Sequence, residues 1–153
     1  MYKINFVCHG NICRSPMAEY LFKDMVKKAG REQDFYICSS AVSSEEIYNG
    51  IGSPVYPPVK KLLTDLGISC EEKRAQQLTQ ADGNHFDLFL CMDESNLQRA
   101  RRIVGERNAH KCKKLLSCAG ENGNVADPWY TRDFSACYQD IMRGLTALLQ
   151  SLS

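Results

Sequence analysis

The stretch from Lys3 to Pro16 restricts the fold of this chain more than any other part of the sequence. It starts with the mainly apolar run Lys3-Ile4-Asn5-Phe6-Val7, passes through a glycine-containing turn, and ends on Ser15-Pro16 before an amphipathic run. The pattern predicts a buried strand, a tight turn and a helix, with Ser15 at the N-cap and Pro16 at the first helical position. The N–H groups of the turn and the positive end of the helix dipole then converge on an anion site.

A thiol enters this turn and a guanidinium leaves it, with five residues between Cys8 and Arg14. Aligned N–H dipoles and a nearby guanidinium stabilise a thiolate, so we expect Cys8 to be ionised at neutral pH. Arg14 offers a planar fork of donors that matches two phosphoryl oxygens. The pattern therefore predicts phosphoryl transfer to sulfur, with Cys8 as the nucleophile. The alternative is an ordinary strand-to-helix turn that contains a buried structural cysteine.

The length and charge of the chain limit the classes of function. A chain of 153 residues with 44% hydrophobic content suits one domain, 1–153, around one core. The net charge of +1 creates no global field for nucleic acid or an anionic membrane, and no apolar run approaches the ~20 residues of a membrane span. We therefore expect neither nucleic acid nor a membrane among the partners.

Eight cysteines are spread through the apparent core elements, and we identify no signal peptide ahead of the first strand. Free thiols in a reducing cytoplasm explain this usage better than a disulfide framework does. No CxxC pair or His-x3-His spacing indicates zinc, so we expect no metal and no cofactor.

Strand-like and helix-like runs alternate along the chain. The strand-like runs cover residues 3–7, 35–38, 86–92 and 113–116. The helical runs extend from Pro16 to near Gly30, over 59–66 and 97–104, and from about Phe134, while 42–58 has the composition of a long loop. The order predicts a three-layer α/β fold with a four-stranded parallel sheet, helices on both faces and ligands at the carboxyl ends of the strands.

Asp127-Pro128-Trp129-Tyr130 lies between the predicted fourth strand and the last helix. Transfer of a phosphoryl group from a poor leaving group needs a proton donor, and Asp127 is the candidate. Trp129 and Tyr130 supply flat apolar walls for an aromatic ring. An Asp-Pro pair is also a common turn, so both interpretations of Asp127 remain open on the residues alone.

Two motifs together resemble the low-molecular-weight protein tyrosine phosphatase family: Val7-Cys8-His9-Gly10-Asn11-Ile12-Cys13-Arg14-Ser15-Pro16-Met17-Ala18-Glu19, and Asp127-Pro128-Trp129-Tyr130. The resemblance extends over the whole chain and includes Ser40-Ala41 and the stretch 91–97. It implies a phosphate-binding loop formed by His9, Gly10, Asn11, Ile12, Cys13 and Ser15 around Cys8, with Arg14 as the clamp.

Further roles follow from the resemblance. Ser15 is implied as a hydroxyl donor to the thiolate, Asp127 as general acid and then base, and Asn11 and Ser40 as residues that brace the loop. Cys13 is similar to a second loop cysteine that pairs with the nucleophile under oxidation. The implied activity is hydrolysis of protein phosphotyrosine and small aryl phosphates through a phosphocysteine intermediate. The implied partners are phosphotyrosine proteins, and the implied assembly is a monomer or a weak homo-oligomer.

The sequence departs from the family in two places. Lys73-Arg74-Ala75-Gln76 stands where members often have His-x-Ala-Arg, which leaves open what replaces the histidine that braces the loop. Tyr56-Pro57-Pro58 stands where the family tends to have an Asp and an Arg around a proline. Either Tyr48 or Tyr56 is a candidate for contact with substrate beside the cleft.

Three alternative functions each predict residues that can be compared with this sequence. An arsenate reductase of this fold relays a disulfide through closely spaced cysteines, whereas the cysteine that follows Cys91 is Cys112. A protein-arginine phosphatase typically has a threonine at the position of Ile12. A non-catalytic phosphotyrosine-binding module is expected to lack Cys8 or Asp127, and both are present.

Overall fold

A computed structural model describes residues 1–152 of the chain. Within them, strands β1 (Tyr2–Cys8), β2 (Phe35–Ala41), β5 (Leu88–Cys91) and β6 (Cys112–Lys114) form one sheet, and β3 (Ile47–Tyr48) pairs with β4 (Ile51–Gly52) in a hairpin. The four-stranded sheet has the order β2-β1-β5-β6, and all its neighbouring pairs are parallel. The predicted parallel sheet is confirmed.

Helices cover both faces of the sheet. They are α1 (Arg14–Lys28), α2 (Pro57–Asp65), α3 (Gln80–His85), α4 (Glu94–Val104), α5 (Pro128–Thr131) and α6 (Phe134–Ser151). Buried side chains of α1, α2 and α6 pack with Ile4, Phe6 and Leu90 in the larger core. Buried side chains of α4 pack with Val7 and Phe89 in the smaller one, on the opposite face. This is the three-layer arrangement that the alternation of strands and helices predicts.

The start of α1 differs from the prediction. The N-cap residue is Cys13, without a side-chain capping bond, and Arg14 is the first helical residue. The N-cap assignment of Ser15 is therefore wrong, because Ser15 lies inside the first turn. Pro16 is accommodated at the third helical position, since an N–H group there has no intrahelical partner.

The β3–β4 hairpin and helix α3 lie in parts of the chain where the sequence predicts no regular structure. The predicted loop 42–58 contains the β3–β4 hairpin, whose turn residues Asn49 and Gly50 have φ values of 51° and 79°. Positive φ at both central positions is the requirement of a tight hairpin turn, and Asn-Gly meets it. Helix α3 was not predicted; Thr79 and Asp82 form a capping box at its start.

The carboxyl ends of β1 and β5 lie side by side, since Val7 pairs with Cys91. Cys8 ends β1, and Asp93 follows β5 and caps α4 by accepting a hydrogen bond from the N–H of Asn96. Asp93 and the loop that follows Cys8 therefore lie at the same edge of the sheet. No helix among residues 1–152 is long and apolar enough to span a membrane.

Candidate active site

A cleft of about 480 Å³ opens at this edge of the sheet. The predicted site residues that line it are Cys8, His9, Gly10, Ile12, Cys13, Arg14, Asp127, Trp129 and Tyr130. Asn11 and Ser15 are predicted loop residues that lie buried under it, with exposed fractions of 1% and 0%. Side chains more than a hundred positions apart in the sequence are thus brought to one cleft by the parallel sheet.

The sulfur of Cys8 is held by donors from its own loop. The N–H of Asn11 donates to Cys8 Sγ at 3.3 Å, and Ser15 Oγ lies 2.9 Å from the same sulfur. Asn11 has a φ of 59°, in the left-handed region that Asn tolerates well, and this conformation turns its N–H toward the sulfur. Hydrogen bonds of this kind favour the thiolate over the thiol.

Arg14 is buried at the base of the cleft. Its NH1 donates to Asp93 Oδ2 at 2.9 Å and to the Val125 carbonyl at 3.2 Å, while its NH2 donates to Asp127 Oδ2 at 3.3 Å. Burial opposes the charge of the guanidinium, but the negative charges of Cys8, Asp127 and Asp93 outweigh burial and raise the pKa of Arg14. A permanent cation therefore faces the sulfur.

Asp127 has two structural contacts in addition to its place in the cleft. Its Oδ1 accepts the N–H of Trp129 at 3.1 Å and caps α5, and its Oδ2 pairs with Arg14. The carboxyl is about one quarter exposed, so it remains accessible from the cleft. The turn interpretation and the cleft position of Asp127 are both correct, because the same side chain caps the helix and faces the site.

The serine that contacts the loop is Ser39. Asn11 Nδ2 donates to Ser39 Oγ at 2.9 Å and to Ser15 Oγ at 2.8 Å. Ser40, the residue the sequence suggested, donates instead to Asn5 Oδ1 at 2.6 Å. The assignment of Ser40 as a brace of the loop is therefore wrong, because successive residues of a strand point to opposite faces of the sheet.

Cys13 lines the same cleft as Cys8 and is 8% exposed. Burial is the main cause of a strongly raised pKa at Cys13, and the nearby Cys137 and Cys8 add to it. Cys13 is thus a neutral thiol beside the candidate nucleophile. All eight cysteines lie in the described part of the chain and are free thiols.

Aromatic residues form one wall of the cleft. Trp129 and Tyr130 line it and are 52% and 82% exposed. Tyr56 supports Trp129 from outside the cleft, with the two ring centroids 5.2 Å apart. Tyr48 lies on the exposed β3–β4 hairpin. Neither Tyr48 nor Tyr56 is among the lining residues, so the structure favours Trp129 and Tyr130 as the surfaces that face a substrate.

The cleft also contains residues that the sequence did not indicate as site residues. Asp93 is one of them, although its place directly after a strand was a signal for the site. Glu45 and Glu46, which follow β2, line the rim, and Asn96 lines the cleft from α4. Asn96 is 2% exposed, and its Oδ1 has no hydrogen-bond partner within the described residues, so it offers an acceptor to a bound molecule or water.

The chain matches the family described as low molecular weight phosphotyrosine protein phosphatase over residues 3–153. It belongs to this family. The chain is 34% identical over 154 residues to the low molecular weight protein-tyrosine-phosphatase YfkJ of Bacillus subtilis, covering 99% of this chain and 96% of the relative. It is 35% identical to the low molecular weight phosphotyrosine protein phosphatase of Sus scrofa, covering 96% and 93%.

Solved structures agree with this membership. The crystal structure of YfkJ superposes with a TM-score of 0.90 at 35% identity, covering 99% of this chain and 94% of that one. A drosophila arginine phosphatase superposes with a TM-score of 0.87 at 28% identity, covering 99% and 98%. The family and its curated members are protein-tyrosine phosphatases that use a cysteine-based mechanism, and the activity implies phosphoprotein substrates.

Proposed function

We propose that Cys8, Arg14 and Asp127 perform the phosphatase reaction in this chain. The thiolate of Cys8 attacks phosphorus in line, an S–P bond forms, and the bond from phosphorus to the tyrosyl oxygen breaks. Asp127 gives its proton to that oxygen as it leaves. Water then attacks the phosphocysteine, Asp127 takes the proton from water, and the S–P bond breaks to release phosphate and the thiolate.

The observation that carries this proposal is the convergence of the three groups on one cleft. Cys8 Sγ accepts the N–H of Asn11 and lies next to the Ser15 hydroxyl, while Arg14 is held at the base by Asp93 and Asp127. A phosphoryl group competes with Asp127 for the same guanidinium. Its binding therefore frees the carboxyl for proton transfer at the moment when the proton is needed.

We propose phosphotyrosine proteins and small aryl phosphates as the substrates. The indole of Trp129 and the phenol of Tyr130 offer apolar faces to an aryl ring, and Ile12 adds an aliphatic contact. A threonine at that position would instead offer a hydrogen bond to a guanidinium-type substrate, which is the chemistry of the arginine phosphatase alternative.

We further propose that residues 1–153 act as one catalytic domain in the cytoplasm. Eight free thiols support a reducing compartment. Because Cys13 shares the cleft with Cys8, we propose that peroxide converts Cys8 to a sulfenic acid, and that the thiol of Cys13 then forms a disulfide with it and releases water. The Cys13→Ser variant should then be inactivated irreversibly, while the wild type recovers in dithiothreitol.

A substrate panel tests the proposed activity. Purified protein is assayed against phosphotyrosine peptide, phenyl phosphate, phosphoserine peptide, phosphoarginine and arsenate, and rapid quench with labelled substrate locates the phosphoenzyme. We expect hydrolysis of the first two and label on Cys8. Cys8→Ser should bind phosphate but lose turnover, because an alkoxide does not form at neutral pH in place of the thiolate. Label on another residue, or preferential turnover of phosphoarginine, contradicts the proposal.

A further inference from the structure

Two charged side chains are buried behind the phosphate loop and take no part in the steps above. Glu19 of α1 is 4% exposed and Lys73, in the segment between α2 and α3, is 8% exposed. Lys73 Nζ lies 3.4 Å from Glu19 Oε1 and donates to the carbonyl of Ser39 at 3.1 Å. Moving two charges out of water carries a desolvation penalty that can cancel their attraction. The presence of this buried pair therefore does not by itself indicate that the pair stabilises the fold.

The carboxylate of Glu19 is an acceptor in each of its contacts. Lys23 Nζ donates to Oε2 at 2.6 Å, Lys73 approaches Oε1, and the hydroxyl of Ser39 donates to the same Oε1. The hydroxyl of a serine has one proton. Because Ser39 gives that proton to Glu19, only its lone pairs are left for the side of the phosphate loop.

The side-chain amide of Asn11 completes a chain of hydrogen bonds with one direction. The backbone N–H of Gln76 donates to Asn11 Oδ1 at 3.0 Å, which fixes the orientation of the amide. Asn11 Nδ2 therefore points its two protons at Ser39 Oγ and Ser15 Oγ, at 2.9 Å and 2.8 Å. Both serine oxygens act as acceptors toward Asn11.

The direction of this chain decides what Ser15 does. Since Ser15 accepts from Asn11, its own proton is free to point at Cys8 Sγ, 2.9 Å away. A hydroxyl that donates to sulfur stabilises the thiolate, whereas one that accepts from a thiol stabilises the protonated form. The buried carboxylate thus acts on the sulfur through hydrogen bonds that all run the same way.

We propose that Lys73 is a positioning residue for the nucleophile: it holds Glu19 and the end of β2 in register, so that Ser39, Asn11 and Ser15 direct a proton at Cys8. The proposal rests on Cys8 being the nucleophile, as proposed above. Lys73 suits this position because its one ammonium group contacts both the carboxylate of Glu19 and the backbone carbonyl of Ser39. Glu19 in turn orients the hydroxyl of Ser39. It occupies the position where the resemblance led us to look for a histidine.

The charge of Lys73 is set by two opposing effects. Burial lowers the pKa of its ammonium group, and the carboxylate of Glu19 works against that lowering. The ammonium group of Lys73 and the carboxylate of Glu19 have contacts in α1, in β2 and in the segment before α3. The ion pair therefore connects α1, which follows the phosphate loop, with the end of β2. A neutral side chain at position 73 leaves Glu19 with the partly exposed Lys23 as its one ammonium partner among the described residues.

The test measures the rate at which iodoacetamide alkylates Cys8 at neutral pH, together with kcat for phenyl phosphate and the melting temperature. The variants are Lys73→Met, Ser39→Ala and the double variant, with Lys61→Met as a matched change of an exposed lysine on α2. We expect each single variant at 73 or 39 to slow alkylation and kcat by roughly three- to thirty-fold, which lies within the range of coupling between contacting residues. Lys61→Met should match the wild type.

The double variant separates positioning from support of the fold. If Lys73 acts through Ser39, the double variant reacts no more slowly than Ser39→Ala alone, and Lys73→Arg restores most of the rate. Losses that multiply, or an alkylation rate unchanged in Lys73→Met, overturn the proposal. If Lys73→Met does not fold, a well-folded Ser39→Ala protein with the wild-type alkylation rate overturns it as well. Alkylation needs no turnover, so a wild type that fails to hydrolyse phosphotyrosine contradicts the proposed function and leaves this measurement valid.

Discussion

The guanidinium of Arg14 contacts Asp93 and Asp127 together, and each of these two carboxylates also caps a helix. Asp93 accepts the N–H of Asn96 at 2.8 Å as the cap of α4, and its position is tied to the end of β5. Asp127 sits on the short helix α5 and faces the cleft. Both carboxylates therefore hold Arg14 in place, and Asp127, at the start of the four-residue helix α5, is the one that we propose as the general acid.

The first prediction concerns the leaving group. Asp127→Asn should slow hydrolysis of phenyl or tyrosyl phosphate by roughly 10²- to 10⁴-fold, the contribution expected of a positioned general acid. The loss should shrink for an activated nitrophenyl ester, which leaves without a proton. Steady-state kcat across a series of aryl phosphates measures this. An equal loss for every ester would show that Asp127 has only its capping role.

A second prediction follows from the burial of Cys13. Desolvation disfavours its thiolate and raises its pKa, so Cys13 remains a thiol below and well above pH 7 and becomes reactive only in more alkaline solution. Cys137, buried on α6, has its pKa raised to about 12 for the same reason. Iodoacetamide at neutral pH should therefore modify Cys8 first and spare the other two. Peptide mapping by mass spectrometry checks the order, and early modification of Cys13 would contradict it.

At the scale of elements, the sequence predicts those parts whose cause is local. The strand, turn and helix around Cys8 follow from an apolar run, a glycine and a helix start, and the structure has all three. Helix α3 was missed although Thr79 and Asp82 form its capping box, because Gly83 and Asn84 are poor helix formers and obscure the pattern. The helix packs on α4, and this contact involves residues outside the helix itself.

The choice between Ser39 and Ser40 shows the same limit inside one strand. Alternation dictates that only one of the two side chains points toward α1, but the register of β2 against β1 decides which one. That register depends on pairing with residues about 30 positions away. The place of Lys73 depends in the same way on the contact of its segment with α1 and β2, so its role could not be read from the sequence.

A third prediction tests the packing of α6 against the segment that follows β6. In a helix interior, Gly→Ala usually stabilises by about 1 kcal/mol. A Cβ on Gly144, however, would lie 2.6 Å from Cγ of the fully buried Leu115. We expect Gly144→Ala to lower the free energy of unfolding by roughly 1–3 kcal/mol, as overpacking does. Denaturant unfolding measures it, with Thr146→Ala on the exposed face as the control that should gain slightly; a stabilised Gly144→Ala would show that Leu115 moves aside.

The whole molecule is nearly neutral, but the cleft is lined by more acidic than basic side chains. The net charge is +1, yet four carboxylates line the cleft, from Glu45, Glu46, Asp93 and Asp127. Asp93 and Asp127 face Arg14 at the base, whereas the two glutamates lie on the rim. Arg14 is the one permanent cation among the described residues that line the cleft, and the two glutamates on the rim present negative charge to the residues that flank a bound phosphotyrosine.

His9 connects Glu45 on the rim to Arg99 of α4. Arg99 NH1 lies 3.1 Å from His9 Nδ1, and a guanidinium only donates, so Nδ1 is the acceptor. The proton of the imidazole is then on Nε2, which lies 3.0 Å from Glu45 Oε2 and donates to it. Glu45 is thus held at the rim by His9, and Arg99 is directed at His9 and at the carbonyl of Val42.

The last prediction is a preference for basic residues beside the phosphotyrosine. Peptides with Lys or Arg next to the phosphotyrosine should have a kcat/KM about two- to five-fold above that of matched peptides with Glu, the size expected for exposed charge pairs. The preference should weaken above physiological salt, because the Debye length falls below about 8 Å. Glu46→Gln and Glu45→Gln should each reduce it, whereas Glu106→Gln, an exposed glutamate outside the cleft, should not. Binding of the phosphate by Arg14 does not distinguish the two sets of peptides. Equal kcat/KM values for both sets at low salt would therefore show that the rim glutamates do not interact with the residues beside the phosphotyrosine.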